Sequence, residues 1–477
     1  MKRRLVLASI FVLTFSVCGG SGSAQDNSAT MGKWELGPLF DVAPINMMVL
    51  ANGKVMFYPG AQVSGDDVRV WDPGTGTVTG LAKAGFDIFC SGMAFLWNGE
   101  ILIAGGNVDA ATFTGLPHAS IYNPTTNSWY RVPDMNDSRW YPTLTTLGGF
   151  QGQYGDVLVL SGWIDDVQLE NPLPQVFQVG PGTWRSLTNA VLRIFSYPWA
   201  FLSPFGNVIV VGPERTTRYL DTAGAGAWTT VATQNFAGTR DYGSAVMWDD
   251  FRFMVVGGSQ PPTNTAEVLN LADPNPTWQY SGSMAFARRQ HNATILPDRT
   301  VLVTGGTSGN GFNDTTSPVY PAELWDPWSG TWSTKASQTI GRFYHSGAIL
   351  LPDGRILSAG GDFTFQSEIY SPPYLFKGAR PTITSAPTQL TYGQTFFVGT
   401  PDPANVKLAT WVRLPAVTHS FDQSQRMNGL TYTPTTGGLN VTAPSSELRS
   451  PPGYYMLFIL NENWVPSVAK IIRIGYS

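Results

Sequence analysis

Short apolar runs separated by turn residues recur along most of this chain. Each repeat begins with an apolar run, a turn and a second apolar run that ends in glycine, as in residues 94–106, 294–306 and 347–361. Apolar runs of this length, bounded by glycine and asparagine, are typical of buried strands. The first half of each repeat therefore predicts two buried strands joined by a turn.

The second half of a repeat is a strand, a turn and a strand that contains tryptophan. The glycines that end the first halves are 46 to 56 residues apart, which is the period of kelch-type propeller blades. Four short strands in each of seven repeats predict a seven-bladed kelch-type β-propeller. The glycines are Gly60, Gly106, Gly162, Gly212, Gly258, Gly306 and Gly361, and the tryptophans are Trp129, Trp184, Trp228, Trp278 and Trp332.

The last repeat lacks its tryptophan strand. Its third strand is expected at residues 368–372, and no tryptophan strand follows, whereas Trp34 lies in a strand-like segment at the other end of the chain. We expect this N-terminal strand to complete the seventh blade and to leave no free edge in the ring. The propeller is therefore predicted to span residues 32–378.

The composition changes after Gly378. Alternating short strands with Pro and Gly turns fill residues 379–477, which contain no cysteine. This length and pattern predict an immunoglobulin-like β-sandwich. The whole mature chain is then expected to be all-β.

The first 24 residues have the pattern of an export signal. Lys2, Arg3 and Arg4 precede an apolar stretch, residues 5–17, that is too short to anchor the chain in a bilayer. Cys18 follows the bulky Val17, which argues against lipid attachment at that cysteine. We therefore expect a secreted or periplasmic protein with residues 1–24 removed.

Composition restricts the fold and the partners. Charged residues make up 13% of the chain and aromatic residues another 13%, with 51 Gly and 35 Pro, which does not favour long helices. The formal charge of −4 comes without a basic run. Neither a nucleic-acid partner nor a membrane span is expected, and we expect a monomer.

Cys90 is the only cysteine left in the mature chain, so it cannot belong to an internal disulfide. Equivalent positions in different blades form a ring around the axis of a propeller. Aligning the repeats on their glycines brings the residues that open each first strand to one mouth of the channel. These residues are Cys90, Tyr141, Tyr197 to Trp199, Tyr242, His291, and Tyr344 with His345.

His419 lies in a long connection between two predicted strands of the C-terminal region, 411–413 and 430–432. Long loops in compact domains are often functional, so this loop is expected to reach into the channel. Each of these residues also has a structural interpretation, because buried cysteines are usually inert and tyrosines at strand starts usually pack. Only the arrangement of all these residues together favours a functional site over a structural role.

The chain resembles the copper radical oxidases, which include galactose oxidase and the glyoxal oxidase-like enzymes. The resemblance extends from about Lys33 to the end of the chain. The segments that carry it are residues 87–92, 105–107, 138–143, 342–346, 351–355, 417–420, 452–458 and 465–469.

The resemblance implies a mononuclear Cu(II) site and a protein-derived radical. Cys90 and Tyr141 would be joined by a thioether, and Tyr141 would be both a copper ligand and the radical site. His345 and His419 would be the imidazole ligands, and Tyr344 the axial tyrosinate and general base. The expected reaction oxidises a small aldehyde, as its hydrate, or a primary alcohol with O2, and it releases hydrogen peroxide.

Three positions depart from the family pattern or are ambiguous. Trp163 and Trp199 are both candidates for the tryptophan that stacks on the thioether. Arg193 falls near the sugar-binding arginine of galactose oxidase, but its surroundings do not match. The alternative function is a non-catalytic extracellular propeller that binds a glycan or a protein.

Overall fold

The computed structural model describes residues 27–60, 64–108, 114–149 and 154–476, and nearly all of its regular structure is strand. The helical elements of these residues are one short α-helix, Ser28–Met31, and two 3-10 turns, Pro373–Phe376 and Pro403–Asn405. None of these described helices is long and apolar enough to cross a membrane. The expected export signal, 1–24, and Cys18 lie outside the described residues. The prediction of an all-β protein is confirmed.

The strands before residue 372 form seven antiparallel sheets in the described part of the chain, which we call the repeat sheets. The N-terminal strand is β1 (Lys33–Leu39). The first sheet has β2 (Asn46–Val49), β3 (Val55–Tyr58), β4 (Arg69–Trp71) and β5 (Val78–Gly80), and the second has β6 (Gly92–Phe95), β7 (Ile101–Ala104), β8 (Ala119–Asn123) and β9 (Ser128–Val132). The third has β10 (Thr143–Thr146), β11 (Val157–Leu160), β12 (Gln175–Gln178) and β13 (Thr183–Ser186), and the fourth has β14 (Ala200–Leu202), β15 (Val208–Val210), β16 (Thr216–Asp221) and β17 (Ala227–Thr233). The fifth has β18 (Ser244–Asp249), β19 (Arg252–Val256), β20 (Thr265–Asn270) and β21 (Gln279–Ser283). The sixth has β22 (Arg289–Ile295), β23 (Val301–Thr307), β24 (Pro321–Asp326) and β25 (Thr331–Ser337), and the seventh has β26 (Ser346–Leu350), β27 (Ile356–Gly360) and β28 (Gln366–Ser371).

Burial falls from the first strand of each repeat sheet to the last. Every residue of β6 and β7 is buried, for example, whereas β9 alternates between exposed and half-buried residues. The first strands also pack on one another: β6 contacts β10, β22 contacts β26, and β26 contacts β2. The continuous apolar runs of the sequence are therefore the inner strands, and the tryptophan strands face outward.

The tryptophan of the last strand joins neighbouring repeat sheets. The indole nitrogen of Trp129 donates to Ala82 O at 2.7 Å, that of Trp184 to Pro133 O at 2.8 Å, and that of Trp228 to Ala190 O at 2.8 Å. Each acceptor follows the preceding sheet. The sequence period of tryptophan thus reflects one hydrogen bond between successive sheets.

The N-terminal strand supplies the same contact at the seam. β1 pairs antiparallel with β28, with Trp34 opposite Tyr370, so it is the fourth strand of the seventh sheet, as expected. Trp34 donates to Ala336 O of the sixth sheet at 2.9 Å. The two ends of the repeat region are therefore joined in one sheet.

The rest of the chain forms two further sheets in its described residues. Their strands are β29 (Gln389–Leu390), β30 (Thr395–Gly399), β31 (Val406–Arg413), β34 (Met427–Leu430), β35 (Tyr432–Thr435), β36 (Gly438–Thr442), β37 (Gly453–Asn461) and β38 (Lys470–Ile474). Trp411 and Tyr455 stack in their core, with ring centroids 5.1 Å apart. Met456 and Phe458 of β37 belong to the same apolar core as the repeat sheets, so the two regions pack together.

A hairpin between β31 and β34 enters the repeat region. Its strands are β32 (Ala416–Thr418) and β33 (Phe421–Asp422), and β32 pairs with β2 of the first repeat sheet. Gln423 Oε1 accepts hydrogen bonds from the backbone amides of Met93 and Leu144, on two other inner strands. This hairpin carries His419 and holds it against the inner strands.

Candidate metal centre

The residue just before or at the start of the first strand has a left-handed backbone in six repeat sheets of the described chain. A positive φ is unfavourable for residues other than glycine, so six such residues at equivalent places indicate a shared turn. They are Cys90 (58°), Tyr141 (68°), Tyr197 (45°), Tyr242 (51°), Gln290 (58°) and His345 (64°). We call these residues the ring residues.

Backbone hydrogen bonds connect ring residues of adjacent sheets. The amide of Tyr141 donates to Cys90 O at 3.0 Å, and the amide of Tyr197 donates to Tyr141 O at 2.8 Å. In the sixth sheet it is Gln290 that donates to Tyr242 O, at 2.7 Å, so the expectation that His291 occupies this position is wrong by one residue. His291 lies one residue further along the strand.

Buried arginines support these turns. Arg139, Arg240 and Arg288 each precede a ring residue by two positions, and Arg342 precedes His345 by three. Each guanidinium donates to the carbonyl at the end of the second strand of its own sheet; for Arg139 the acceptor is Ser161 O at 2.7 Å. A buried cation with several carbonyl acceptors fixes the turn from which the ring residue projects.

Two imidazoles meet beside the Cys90 sulfur. Cys90 Sγ lies 3.4 Å from His419 Nε2 and 3.8 Å from His345 Nε2, and the three possible ligand atoms lie within 4.8 Å of one another. All three residues are buried. The predicted convergence of these residues is therefore present in the described structure.

The other nitrogen of each imidazole has its own partner. His345 Nδ1 hydrogen-bonds to the Asp362 carboxylate, and His419 Nδ1 lies 2.7 Å from Thr418 Oγ1. A histidine that binds a metal through Nε2 carries its proton on Nδ1, where such a partner orients the ring. Burial lowers the pKa of both histidines, while Asp362 acts in the opposite direction on His345, so both rings favour the neutral form that binds metals.

The two predicted tyrosines meet at the same place. The hydroxyls of Tyr141 and Tyr344 hydrogen-bond to each other, and the Tyr344 ring stacks on that of His345 at 3.7 Å between centroids. Burial raises the pKa of both phenols well above the ordinary value, and burial likewise raises the pKa of the Cys90 thiol. Without a nearby cation, these three groups are therefore protonated.

Besides the His419 imidazole, three aromatic rings pack on Tyr141 in the described structure. The Trp140 indole is stacked on it, with centroids 4.8 Å apart and planes at 29°, whereas Trp163 lies at 4.8 Å but is tilted by 59°. Tyr197 packs at 4.9 Å. Trp199, the other candidate for stacking, lies against Gly212 and lines a cavity beside Tyr141.

Arg193 does not reach the centre. It is exposed, and it is not among the residues that line the cavity beside Tyr141 in the described chain. Its neighbours Phe195 and Ser196 do line that cavity. The role suggested for Arg193 thus stays a prediction without support from its position.

Asp362 and Phe312 were not identified from the sequence. Asp362 follows the two glycines that end the first half of the seventh repeat, and Phe312 lies in the loop that follows β23. The Phe312 ring contacts Tyr344 at 4.8 Å between centroids. An aspartate after a glycine pair is a common turn residue, so only the fold distinguishes it as the partner of a histidine.

The available donor atoms match the preferences of copper. Two neutral imidazoles, two phenols and a thiol surround one point, and imidazole and phenolate suit Cu(II) in a tetragonal site. The orientation of both imidazoles by partners on Nδ1 leaves Nε2 directed inward. The described residues therefore fit the copper ion that the sequence resemblance implies.

Two family models match the chain. The model of the glyoxal oxidase N-terminus matches residues 259–373, and the early set domain of galactose oxidase-like proteins matches residues 380–474. Both ranges include proposed ligands, His345 in the first and His419 in the second.

Curated relatives agree with these models. A galactose oxidase of Gibberella zeae is 31% identical over 448 residues, which cover 85% of this chain and 63% of the relative. The chain thus spans less than two thirds of the length of that relative. An aldehyde oxidase GLOX of Vitis pseudoreticulata is 28% identical, over 81% of this chain and 82% of the relative.

A solved structure shares the fold. It is a fungal alcohol oxidase in complex with copper, with a TM-score of 0.84 at 24% identity, covering 94% of this chain and all of that one. At this identity the likeness concerns the fold alone. The family models and the curated relatives confirm the resemblance found in the sequence: the chain is a homologue of the galactose oxidases and of the glyoxal oxidase-like aldehyde oxidases.

Proposed function

We propose that the protein is an exported copper radical oxidase that oxidises a primary alcohol, or an aldehyde as its hydrate, with O2. The observation that carries the proposal is the meeting of Cys90, Tyr141, Tyr344, His345 and His419 at one buried point. The names of the relatives support the same class of reaction, because they are a galactose oxidase and an aldehyde oxidase.

Tyr141, Tyr344, His345 and His419 would hold the metal. When bound, copper supplies one-electron redox chemistry and a positive charge that favours the phenolate forms of the two tyrosines. Asp362 and Thr418 keep the Nε2 atoms of the two imidazoles directed at that point. Trp140 and Trp163 keep water from the Tyr141 ring.

The proposed thioether joins Cys90 to the Tyr141 ring. The two side chains belong to one buried cluster, which also contains Trp140 and Tyr197. Formation of the thioether removes the S–H hydrogen of Cys90 and one ring hydrogen of Tyr141, and O2 takes up both hydrogens as hydrogen peroxide. A sulfur substituent makes the phenol easier to oxidise, which suits a residue that must form and keep a radical.

Tyr344 is the proposed general base. Its hydroxyl is hydrogen-bonded to that of Tyr141, and the ring of Phe312 packs edge-on against its ring. As a phenolate it would take the proton of the substrate hydroxyl, and the Tyr141 radical would take a hydrogen atom from the carbon that bears this hydroxyl. The second electron would pass to the one-electron couple that bound copper supplies. The alcohol thereby loses two protons and two electrons and becomes an aldehyde, while O2 gains them and becomes hydrogen peroxide.

The proposal includes an architecture and a location. We infer that the seven repeat sheets are blades of a β-propeller within residues 32–378, and that 379–477 form an immunoglobulin-like domain that supplies His419. Contacts between the first strands of successive sheets, and the pairing of β1 with β28, support this arrangement. Residues 1–24 would direct the chain to a secreted or periplasmic location.

The intact mass of the mature protein tests the cofactor. Copper-free protein incubated with Cu(II) and air is expected to become lighter by two hydrogens, and Cys90 is expected to become resistant to thiol alkylation. A peptide containing both Cys90 and Tyr141 would identify the bond. An unchanged mass, a free Cys90 thiol and no stoichiometric copper would instead favour a scaffold that binds a glycan or protein.

The Cys90→Ser variant separates the thioether from metal binding. It is expected to retain copper through Tyr344, His345 and His419, and to lose most of its peroxide production, because the Tyr141 phenol without sulfur is harder to oxidise. Metal analysis and a peroxide-coupled assay measure the two properties separately. Undiminished turnover in this variant would remove the thioether from the mechanism.

A further inference from the structure

A cavity of about 200 Å³ opens directly beside the proposed metal centre. Tyr141 and His419 belong to both the centre and the cavity wall. Trp163, Tyr197 and Tyr242 provide further aromatic faces of the wall. A substrate whose reacting carbon lies at Tyr141 must therefore place its remaining atoms among aromatic rings.

Two phenylalanines at the rim extend this apolar wall to the surface. Phe312 is 50% exposed and Phe195 is 37% exposed. The Phe312 ring lies 4.8 Å from that of Tyr344 and 5.4 Å from that of Tyr242, edge-on in both cases. Large aromatic side chains left uncovered around a cavity are typical of a site that binds an apolar group.

The charges around the cavity do not suit an anionic substrate. Asp241 is the only charged residue in the cavity lining of the described chain, and its carboxylate already accepts a hydrogen bond from Arg289 at 2.6 Å. The Arg289 guanidinium is buried, lies over the Tyr242 ring and also donates to Gln260 Oε1 at 2.6 Å. The Arg289 cation is thus used within the protein, and the described lining offers no cation to a substrate carboxylate.

Substrates with many hydroxyl groups fit no better. Each hydroxyl buried against an aromatic wall loses hydrogen bonds to water unless the protein replaces them. Among the described residues, the other polar side chains of the wall beyond Asp241 are Gln168 and Ser196, apart from the tyrosines and His419. The wall therefore favours a substrate whose one polar group is the alcohol that reacts.

We infer that the preferred substrate is a primary alcohol whose CH2OH group is attached to an aromatic ring. This inference rests on the proposed oxidase function. The ring packs against Phe312 and the aromatic wall, and the CH2OH group points towards Tyr344 and Tyr141. In the reaction the O–H bond and one C–H bond break and a C=O bond forms. The aromatic aldehyde is released, and O2 takes up two protons and two electrons as hydrogen peroxide.

Benzyl alcohol, glycerol and D-galactose test this inference in the copper-loaded full-length mature protein. A peroxide-coupled assay gives kcat/KM for each, and quenching of tryptophan fluorescence gives binding, because Trp163 and Trp199 line the cavity. Benzyl alcohol is expected to have at least about a tenfold higher kcat/KM than either polar alcohol, which is the size of one favourable aromatic contact with its burial.

Phe312→Ala is the diagnostic variant, and Phe205→Ala, which removes another exposed phenylalanine outside this cavity, is the matched control. Phe312→Ala is expected to raise KM for benzyl alcohol and to lower its preference over glycerol about tenfold. Phe195→Ala should act in the same direction, which guards against a folding defect in one variant. Phe205→Ala should leave the preference unchanged.

The outcomes separate this inference from the function on which it rests. Peroxide from glycerol or D-galactose with no preference for benzyl alcohol would overturn the substrate class and leave the oxidase in place. A preference that Phe312→Ala and Phe195→Ala do not alter would also overturn it. Absence of peroxide from every alcohol would contradict the oxidation of alcohols and with it the substrate class, whereas oxidation of an aldehyde hydrate would remain to be measured in the same assay. Benzyl alcohol binding that weakens in Phe312→Ala would still support the aromatic site.

Discussion

His345 and His291 lie in adjacent repeat sheets, and both are buried, yet only His345 has the surroundings of a metal ligand. His345 is itself the left-handed ring residue, so its imidazole projects to the centre, where it meets Cys90 and His419. His291 comes one residue after the ring residue Gln290 and lies within β22. Its ring packs near Gly257, where an added Cβ would come within 2.4 Å of it.

The comparison shows that a shift of one residue along the strand decides whether a buried histidine can be a metal ligand or only packs in the core. Successive side chains of a strand point to opposite faces, so a histidine one position further along faces away from the centre. Burial next to the Arg288 cation lowers the pKa of His291 to about 3. For His345 the Asp362 carboxylate opposes the effect of burial. The following variants test this difference.

The largest effect is expected from His345→Ala. Because it removes a direct ligand, copper affinity should fall by more than the 10- to 100-fold that loss of an outer partner typically costs, and peroxide production should disappear. Copper titration of the purified protein measures the affinity. His291→Gln is the matched control and should bind copper normally, and full copper binding by His345→Ala would refute the assignment of this ligand.

The contribution of His291 to stability should depend on pH. Its folded pKa of about 3 lies below the ordinary histidine value of about 6.5, so the unfolded chain takes up the proton first as the pH falls. The contribution of His291 to the free energy of unfolding is fully present above about pH 6.5 and is lost towards pH 3, and it amounts to roughly 5 kcal/mol.

Urea unfolding of the copper-free protein at several pH values measures this loss. His291→Gln should have a shallower fall than the natural sequence between pH 6.5 and 4, while the other histidines contribute equally to both proteins. Parallel curves for the two proteins would show that His291 does not become protonated on unfolding.

Asp362→Asn should weaken copper binding without removing a ligand. An amide still accepts the Nδ1 proton of His345 but lacks the negative charge, so we expect a 10- to 100-fold loss of affinity. Asp353→Asn, which changes a carboxylate that pairs with Arg355, is the control. Equal copper affinity in both variants would mean that the Asp362 charge does not act on the centre.

Thr418→Val should have the smallest effect. The Thr418 hydroxyl is a neutral partner of His419 Nδ1, and valine has nearly the same shape, so copper affinity should fall less than tenfold. The same titration provides the measurement. A loss as large as that of Asp362→Asn would show that the two imidazoles depend equally on their partners.

The repeating architecture could be predicted because its signals are local. Each inner strand is a continuous apolar run, and each outer strand carries a tryptophan whose hydrogen bond to the preceding sheet recurs with the sequence period. The pairing of β1 with β28 could be predicted because Trp34 was the missing member of that series. Patterns that recur can be recognised without any knowledge of contacts.

The centre could be predicted only in part. Symmetry brings Cys90, Tyr141 and His345 to equivalent positions. Apart from glycine, no residue type identifies a left-handed backbone, so the sequence predicts His291 where the structure has Gln290. Asp362 and Phe312 lie in loops that no repeat pattern places. Trp140 stacks on Tyr141 although it is adjacent in sequence, because the left-handed turn at Tyr141 folds the two rings together.

The hairpin that carries His419 determines when the centre can be completed during synthesis. The four repeat strands of each of the seven sheets lie before residue 372, but the fourth proposed ligand arrives only with residues 416–422, in a hairpin that adds to the first sheet and is held by strands on both sides of it in sequence. A nascent chain with finished repeats therefore still lacks a ligand. Copper loading would then report that the entire polypeptide has folded, so that unfinished chains do not acquire the metal or its reactive oxygen chemistry.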